Sequence, residues 1–209
     1  MHRLFHLFAC CVMLACPLVV SAQALYRVEL IVFEHKGAAG LAAEHWPTED
    51  SALPSFSNAV SLTSSTGLTL SPERQLSDIA NKLNASPAYR VLFHTAWKQA
   101  VLDAAATKGI RLTNGRTITA NDTTTVDEVD GITTLSAGRF LHLNVDLVFS
   151  KLLPGKINPV LPNESAKEAQ IVRRFQLKEA RRIKSKELNY FDHPLFGAIV
   201  LVTPVAQGQ

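Results

Sequence analysis

The feature that most constrains the fold is an apolar run near the end of the chain, LFGAIVLV at residues 195–202. Every position in it is apolar or small, and Pro194 and Pro204 bound it. A short apolar run between prolines is typical of a strand that is buried on both faces. We therefore predict a central strand of a β-sheet here, entered through the aromatic and polar corner Tyr190–His193.

Further strands are predicted from alternation of apolar and polar residues. Residues 26–34 and 89–98 alternate, and in 140–149 every second residue from Leu141 to Phe149 is apolar. This two-residue period is that of a strand with one face toward the core. Residues 172–186 alternate less regularly and are also predicted as a strand. Asn114-Gly115 predicts a tight hairpin turn.

One helix is predicted over residues 71–85. Ser71 would be its N-cap and Pro72 its first residue, followed by apolar residues at a spacing of three and four. Residues 36–70 and 151–168 lack periodicity and are predicted as loops, and the polar, acidic segment 121–130 is predicted as a mobile loop or the end of a hairpin. The sequence therefore predicts an α+β fold, with an antiparallel or mixed β-sheet, one main helix and long loops.

The amino-terminal segment has the composition of a secretory signal peptide. Arg3 precedes an apolar stretch over residues 4–20, and Ala22 and Ala24 fit a small-residue cleavage site. Cleavage before Leu25 or after Ala22 is expected, and attachment of a lipid through Cys16 is a weaker alternative. We predict a signal peptide at 1–24, a single α+β domain at 25–209, and no membrane span after processing.

Composition excludes several classes of function. All three cysteines, Cys10, Cys11 and Cys16, lie in the predicted signal peptide, so the mature chain has no disulfide, thiolate nucleophile or cysteine metal ligand. The formal net charge is only +3, so an anionic partner must meet a local basic patch, and no nucleic acid is predicted as a partner. No catalytic, cofactor or metal site is predicted, because G-x-S-x-G, H-E-x-x-H and P-loop motifs are absent.

Two features remain as candidate binding elements. The segment 173–186 holds seven cations in fourteen residues, and alternation would place Arg174, Lys178, Arg182 and Lys184 on one side of a strand. Such a row suits carboxylates, although a basic run is more often a solvated strand face. Tyr190, Asp192 and His193 follow closely. Asp192 and His193 are either a binding pair at a rim or a structural corner bonded to local backbone.

The order of five sequence blocks resembles the CsiV family. The blocks are YRVELIVFEH, HWP, YRVLFHTAWKQ, FLHLNVDLVF and RRIKSKELNYFDHPLFGAIVLVTP. They span residues 25 to 204 and skip the predicted loops. The family comprises periplasmic proteins of Gram-negative bacteria that are described as peptidoglycan-binding and as needed for cell-shape integrity.

The resemblance implies a soluble, non-enzymatic periplasmic protein that binds peptidoglycan and supports cell-wall synthesis and cell shape. It also implies a penicillin-binding synthase, or the lipoprotein activator of that synthase, as a protein partner. The residues leave one alternative open, a periplasmic hydrolase that would use Asp192 and His193, or Asp146, as acid and base. One observation separates the binding protein from the hydrolase: a binding protein is retained on sacculi and does not cleave them.

Overall fold

The computed structural model describes residues 24–37, 52–62, 68–157 and 166–206. Within these ranges there are twelve strands and one helix, in the order β1 (Leu25–His35), β2 (Ala59–Ser61), β3 (Leu68–Leu70), α1 (Ser77–Ala85), β4 (Tyr89–Ala100), β5 (Gly109–Thr113), β6 (Thr117–Thr119), β7 (Thr125–Asp127), β8 (Val129–Ala137), β9 (Leu141–Ile157), β10 (Lys167–Ile183), β11 (Leu188–His193) and β12 (Phe196–Pro204). The predicted signal peptide lies outside the described residues, apart from Ala24, and so does the HWP block.

The strands form two five-stranded sheets that pack face to face. Sheet I has the order β11-β12-β1-β4-β3 and sheet II the order β10-β9-β8-β5-β2, while β6 and β7 form a separate hairpin. All pairings within the two large sheets are antiparallel except that of β2 with β5. Strands make up 63% of the described residues, so the molecule is mostly β and the predicted α+β class is right only in part.

The main core lies between the two sheets. Sheet I contributes Val28, Leu30 and Trp97, and sheet II contributes Leu147 and Phe149, all almost fully buried. The predicted inward residues of β9 are among these core residues, so that prediction is confirmed. Apolar area removed from water in this layer is the main stabilising contribution. Both sheets line one core, which supports the proposal of a single domain.

A second, smaller core lies on the opposite side of sheet I. Helix α1 covers Ile31 and Phe33 there with Leu76 and Ala80. The molecule therefore has three layers: helix, sheet I and sheet II. Among the described residues, no helix is long and apolar enough to cross a membrane.

The apolar run at 195–202 forms the central strand that the sequence predicts. Strand β12 lies between β11 and β1. Its even-numbered residues, such as Val200, lie in the main core, whereas Ile199 and Leu201 pack partly buried against the helix layer. The prediction of a central strand is confirmed, and its two faces contact two different cores.

Two predictions about the bounds of elements and one about a turn are wrong. The helix begins at Ser77, and Ser71 instead donates its backbone amide to Ala96. In the region predicted as a loop at 151–168, the described residues are nearly all strand, since β9 continues to Ile157 and β10 begins at Lys167, while residues 158–165 lie outside the described part. The Asn114-Gly115 turn joins β5 and β6, which do not pair with each other, so it is not a hairpin.

Strand β4 does not keep one face throughout its length. A bulge next to Val32 and Phe33 shifts the register with β1. Trp97 consequently faces the main core, whereas Tyr89 and Val91 pack into the helix-side core. Alternation along residues 89–98 predicts one core-facing side for the whole strand, and this is wrong for its first part, because Tyr89 and Val91 lie on the opposite face from Trp97.

Candidate functional site: two solvent-facing sheet surfaces

The outer face of sheet II carries the basic residues predicted from β10. Phe175 and Leu177 point into the main core. Arg174 and Lys178, the residues on either side of this pair, therefore lie on the opposite face. Arg182 lies on the same face, and Lys184 follows the end of the strand. We call the surface formed by the outward residues of β8, β9 and β10 the open face, because no described helix packs against it.

The cations of the open face are held by neighbouring side chains. The Lys178 Nζ lies 3.2 Å from Asp146 Oδ2, and Gln176 donates to the other oxygen of that carboxylate at 2.6 Å. The Lys184 Nζ lies 3.4 Å from Glu187 Oε1. Arg174 is half-buried, with its Nε enclosed. The row is therefore less positive than the sequence suggests, because acids on neighbouring positions offset part of its charge.

An aromatic ring at one end of the open face positions Arg182. The Arg182 guanidinium lies 4.6 Å from the centre of the Phe140 ring, a cation–π distance. Phe140 is 44% exposed although it is large and apolar. Stacking limits the rotamers of Arg182, so its fork of donors is oriented before any ligand arrives.

A shallow groove of about 540 Å³ lies beside these residues. Thr134, Asn144, Asp146 and Lys178 line it, and Pro54 and Ser55 form one side. These side chains offer both donors and acceptors, which suits hydroxyl and amide groups of a polar polymer. The volume is within the range of sites that bind small ligands or single units of a polymer.

Tyr190 and Asp192 lie on the other sheet. They point to the helix side of sheet I, where Tyr190 donates to Asp192 Oδ1 at 2.5 Å and stacks on Phe33. Burial, together with this bond to a carboxylate, raises the pKa of Tyr190. Gly197 lies under the two rings, and a Cβ there would approach both of them to 3.0 Å. The corner is thus a packed aromatic surface with one exposed edge.

His193 points the other way, toward the main core. Its Nδ1 accepts from the backbone amide of Leu195 at 3.2 Å, and its ring packs 5.0 Å from that of Phe196. Burial lowers the pKa of His193, with a smaller opposing effect from Asp192. Neighbouring residues of a strand face opposite sides, so Asp192 and His193 do not form an acid–base pair.

The seven predicted site residues therefore do not meet on one surface. Four lie on or beside the open face of sheet II, two on the helix side of sheet I, and His193 at the edge of the interior. The two groups belong to edge strands of different sheets, β10 and β11, which Arg181 connects by stacking on Phe191 and donating to the Tyr190 carbonyl at 2.9 Å.

Sequence reasoning missed two buried carboxylates of β1. Glu29 is 1% exposed, accepts from the amides of Gln75 and Leu76 at 2.7 and 2.9 Å, and lies 2.8 Å from His94 Nε2. The His94 side chain is only 12% exposed. No local spacing could reveal this contact, because its partners are 46 to 65 residues away along the chain.

Glu34 is the second buried carboxylate. It accepts from Lys151 Nζ at 2.6 Å and from Arg90 Nε at 2.7 Å, and Arg90 also donates to Glu128 at 2.8 Å. These groups join sheet I to sheet II at one end of the sandwich. The charges are paired with one another, so the network has a structural role and links the two sheets.

The described residues contain no group of three His, Cys, Asp or Glu side chains that could hold a metal ion. The fold and these surfaces define a class of protein: a β-sandwich that presents polar and aromatic faces to solvent. The profile of the family described as "Peptidoglycan-binding protein, CsiV" matches residues 4–205, and the chain belongs to that family. The resemblance seen in the sequence is thereby confirmed. No curated protein and no solved structure matches the chain.

Proposed function

We propose that this protein is a non-enzymatic peptidoglycan-binding adaptor of the periplasm. The family description implies the ligand, and the predicted signal peptide supports the location. In this proposal the protein supports cell-wall synthesis and cell shape by holding the polymer near a penicillin-binding synthase or its lipoprotein activator. The hydrolase alternative has no support. Asp192 and His193 face opposite sides of β11, and Asp146 is bonded to Lys178 and Gln176.

The observation that carries the proposal is the open face of sheet II. An antiparallel sheet displays side chains in rows, so Arg182, Lys178 and Asn144 can contact successive units of an extended polymer. Each exposed ionic contact contributes only about 0.2–1 kcal/mol. Attachment is therefore multivalent and weakens as salt screens the charges.

Retention on purified sacculi tests this proposal. We expect the mature wild-type protein to sediment with sacculi at low salt, to be released partly at moderate salt, and to leave the sacculi uncleaved in a zymogram. The variant with Lys178→Glu and Arg182→Glu should lose most of this retention. The matched control is Lys36→Glu with Lys82→Glu, which makes the same charge change at exposed positions on the opposite side of the molecule.

The outcomes are distinct once circular dichroism shows that both variants are folded. Loss in the open-face variant and retention in the control support the proposal. Equal retention by all three proteins would assign binding to another surface. Failure of the wild-type protein to sediment, or cleavage of the sacculi, would contradict the proposed function itself. Co-sedimentation with the purified synthase and its activator tests the adaptor role.

A further inference from the structure

A second groove lies on the opposite side of the molecule, at one end of the helix side of sheet I. Its volume is about 720 Å³. We call it the cationic groove, because Arg27, Lys98 and Lys186 line it together with a single acid, Glu73. Arg27 pairs across the sheet with Lys98 on β4 and with Thr203 on β12. The strand register therefore places two cations directly opposite each other.

The positive charge of this groove is not balanced by the described residues. Arg27 donates to Glu73 at 2.6 Å, whereas Lys98 and Lys186 form no ion pair within the described part of the chain. Like charges on directly opposed strand positions destabilise a sheet. An arrangement that keeps two cations opposed in one groove favours an anion between them.

Arg27 also has an unsatisfied donor. Its side chain is 12% exposed, and its Nε is buried without a hydrogen-bond partner among the described residues. A buried donor that lacks an acceptor is costly, and such groups are rare in folded proteins. Arg27 lines the groove, and guanidinium and carboxylate fit one another in a planar, forked geometry.

Lys186 reaches the groove from a strained turn. It lies between β10 and β11 with φ at 66°, and its backbone amide donates to the Val202 carbonyl at 2.7 Å. This left-handed conformation suits glycine or asparagine and is unfavourable for lysine. A lysine at this position thus lowers backbone stability, while it places a cation at the rim of the cationic groove.

We propose that the cationic groove binds carboxylate groups of the peptidoglycan stem peptide. This inference rests on the proposed function and adds a second contact to it, on the face opposite the open face. The groove offers donors from Arg27, Lys98 and Lys186, and its volume accommodates a short peptide. Carboxylates are the anionic groups of the stem peptide, and the lining provides the charge that they require.

Calorimetric titration of the mature protein with a soluble stem tetrapeptide tests the proposal. We expect binding at low salt, and loss of that binding when the carboxylates of the same tetrapeptide are amidated. The variant with Lys98→Gln and Lys186→Gly should bind about fivefold more weakly, since the ionic contacts of half-buried Lys98 and exposed Lys186 are removed. It should remain folded, because glycine relieves the strain at position 186.

Glu73→Gln tests whether tetrapeptide binding becomes stronger when the acid of the groove is removed. Removal of the only acid among the lining residues frees Arg27 and should strengthen tetrapeptide binding about threefold, on the scale of one exposed ion pair. Lys82→Gln, an exposed change on α1 that does not line the groove, is the control and should leave the affinity unchanged.

Different results would contradict this inference and the proposed function. If the wild-type protein binds sacculi but not the tetrapeptide, or binds the amidated tetrapeptide equally well, the groove is not a carboxylate site and the proposed function stands. Unchanged affinity in the Lys98 and Lys186 variant would also overturn the inference. If the wild-type protein does not bind sacculi at all, both proposals fall.

Discussion

Glu34 shows how a buried carboxylate can remain charged at the interface of the two sheets. Burial alone would raise its pKa, but hydrogen bonds from Lys151 and Arg90 outweigh burial and lower the pKa below its ordinary value of 4.5. Burial lowers the pKa of Arg90, but its hydrogen bonds to Glu128 and Glu34 outweigh burial and raise that pKa. The network therefore stabilises the folded state in its ionised form.

The lowered pKa of Glu34 predicts a loss of stability in acid. A carboxylate whose folded pKa is depressed contributes stability above its unfolded pKa and loses that contribution as the pH falls through the folded pKa. We expect the free energy of unfolding to decrease as the pH falls below about 4.5. Urea denaturation of the wild-type protein and of Glu34→Gln at a series of pH values measures this.

The variant should be less stable than the wild-type protein at neutral pH, because Lys151 and Arg90 lose a charged partner. It should also show a flatter pH dependence over the acid range. If the two proteins show parallel stability curves, Glu34 does not carry the effect.

At the scale of elements, the two faces of β12 differ in burial and can be compared directly. Val200 is 1% exposed and lies in the core between the sheets, whereas its neighbour Ile199 is only partly buried beneath the helix layer. An unpaired charge in a fully buried apolar site is strongly destabilising. We predict that Val200→Asp abolishes folding, and that Ile199→Asp leaves a folded protein of lower thermal stability.

Thermal melting followed by circular dichroism measures both variants, with Asp127→Asn in the β6–β7 hairpin as a nearly silent control. A Val200→Asp protein with wild-type melting behaviour would contradict the assignment of this strand to the main core. Equal loss in both variants would contradict the difference in burial between its two faces.

Strands with a clear two-residue period were predictable because alternation in sequence reports one buried face. Residues 141–149 are the clearest case. The run 195–202 does not alternate, and it was predictable because a continuous apolar run between prolines indicates a strand with both faces buried. The helix start was not predictable, because Glu29, 46 residues before Gln75, accepts the amides that a local cap would satisfy. Pro154 suggested a loop, yet from Lys151 onward β9 has only β10 as a neighbour, and an edge position accommodates proline.

The arrangement of the candidate sites could not be predicted for a different reason. Arg182 and Tyr190 are close in sequence, but the chain crosses between them from the edge of sheet II to the edge of sheet I. Strand order, which local patterns do not encode, separates them onto opposite surfaces. It also brings Arg27, Lys98 and Lys186 together from three distant segments.

At the scale of the whole molecule, one core connects both candidate binding surfaces. Residues from sheet I and sheet II make up the same buried cluster, and Trp97 and Phe149 are both within it. Separation of the sheets would expose that entire layer to water, at a cost of about 25 cal/mol for each Å² of apolar area. The helix packs on sheet I by a second core and by a hydrogen bond from the Val91 amide of β4 to Asn84 Oδ1 at 2.9 Å.

We therefore predict that the mature protein unfolds as a single cooperative domain. In a Trp46→Phe background, fluorescence of Trp97 reports the core, and far-ultraviolet circular dichroism reports the strands; the two urea transitions should coincide. A stem tetrapeptide that binds only the folded state should shift both transitions to higher urea by the same amount. Two separate transitions, or a shift seen by one probe alone, would show that the sheets unfold independently.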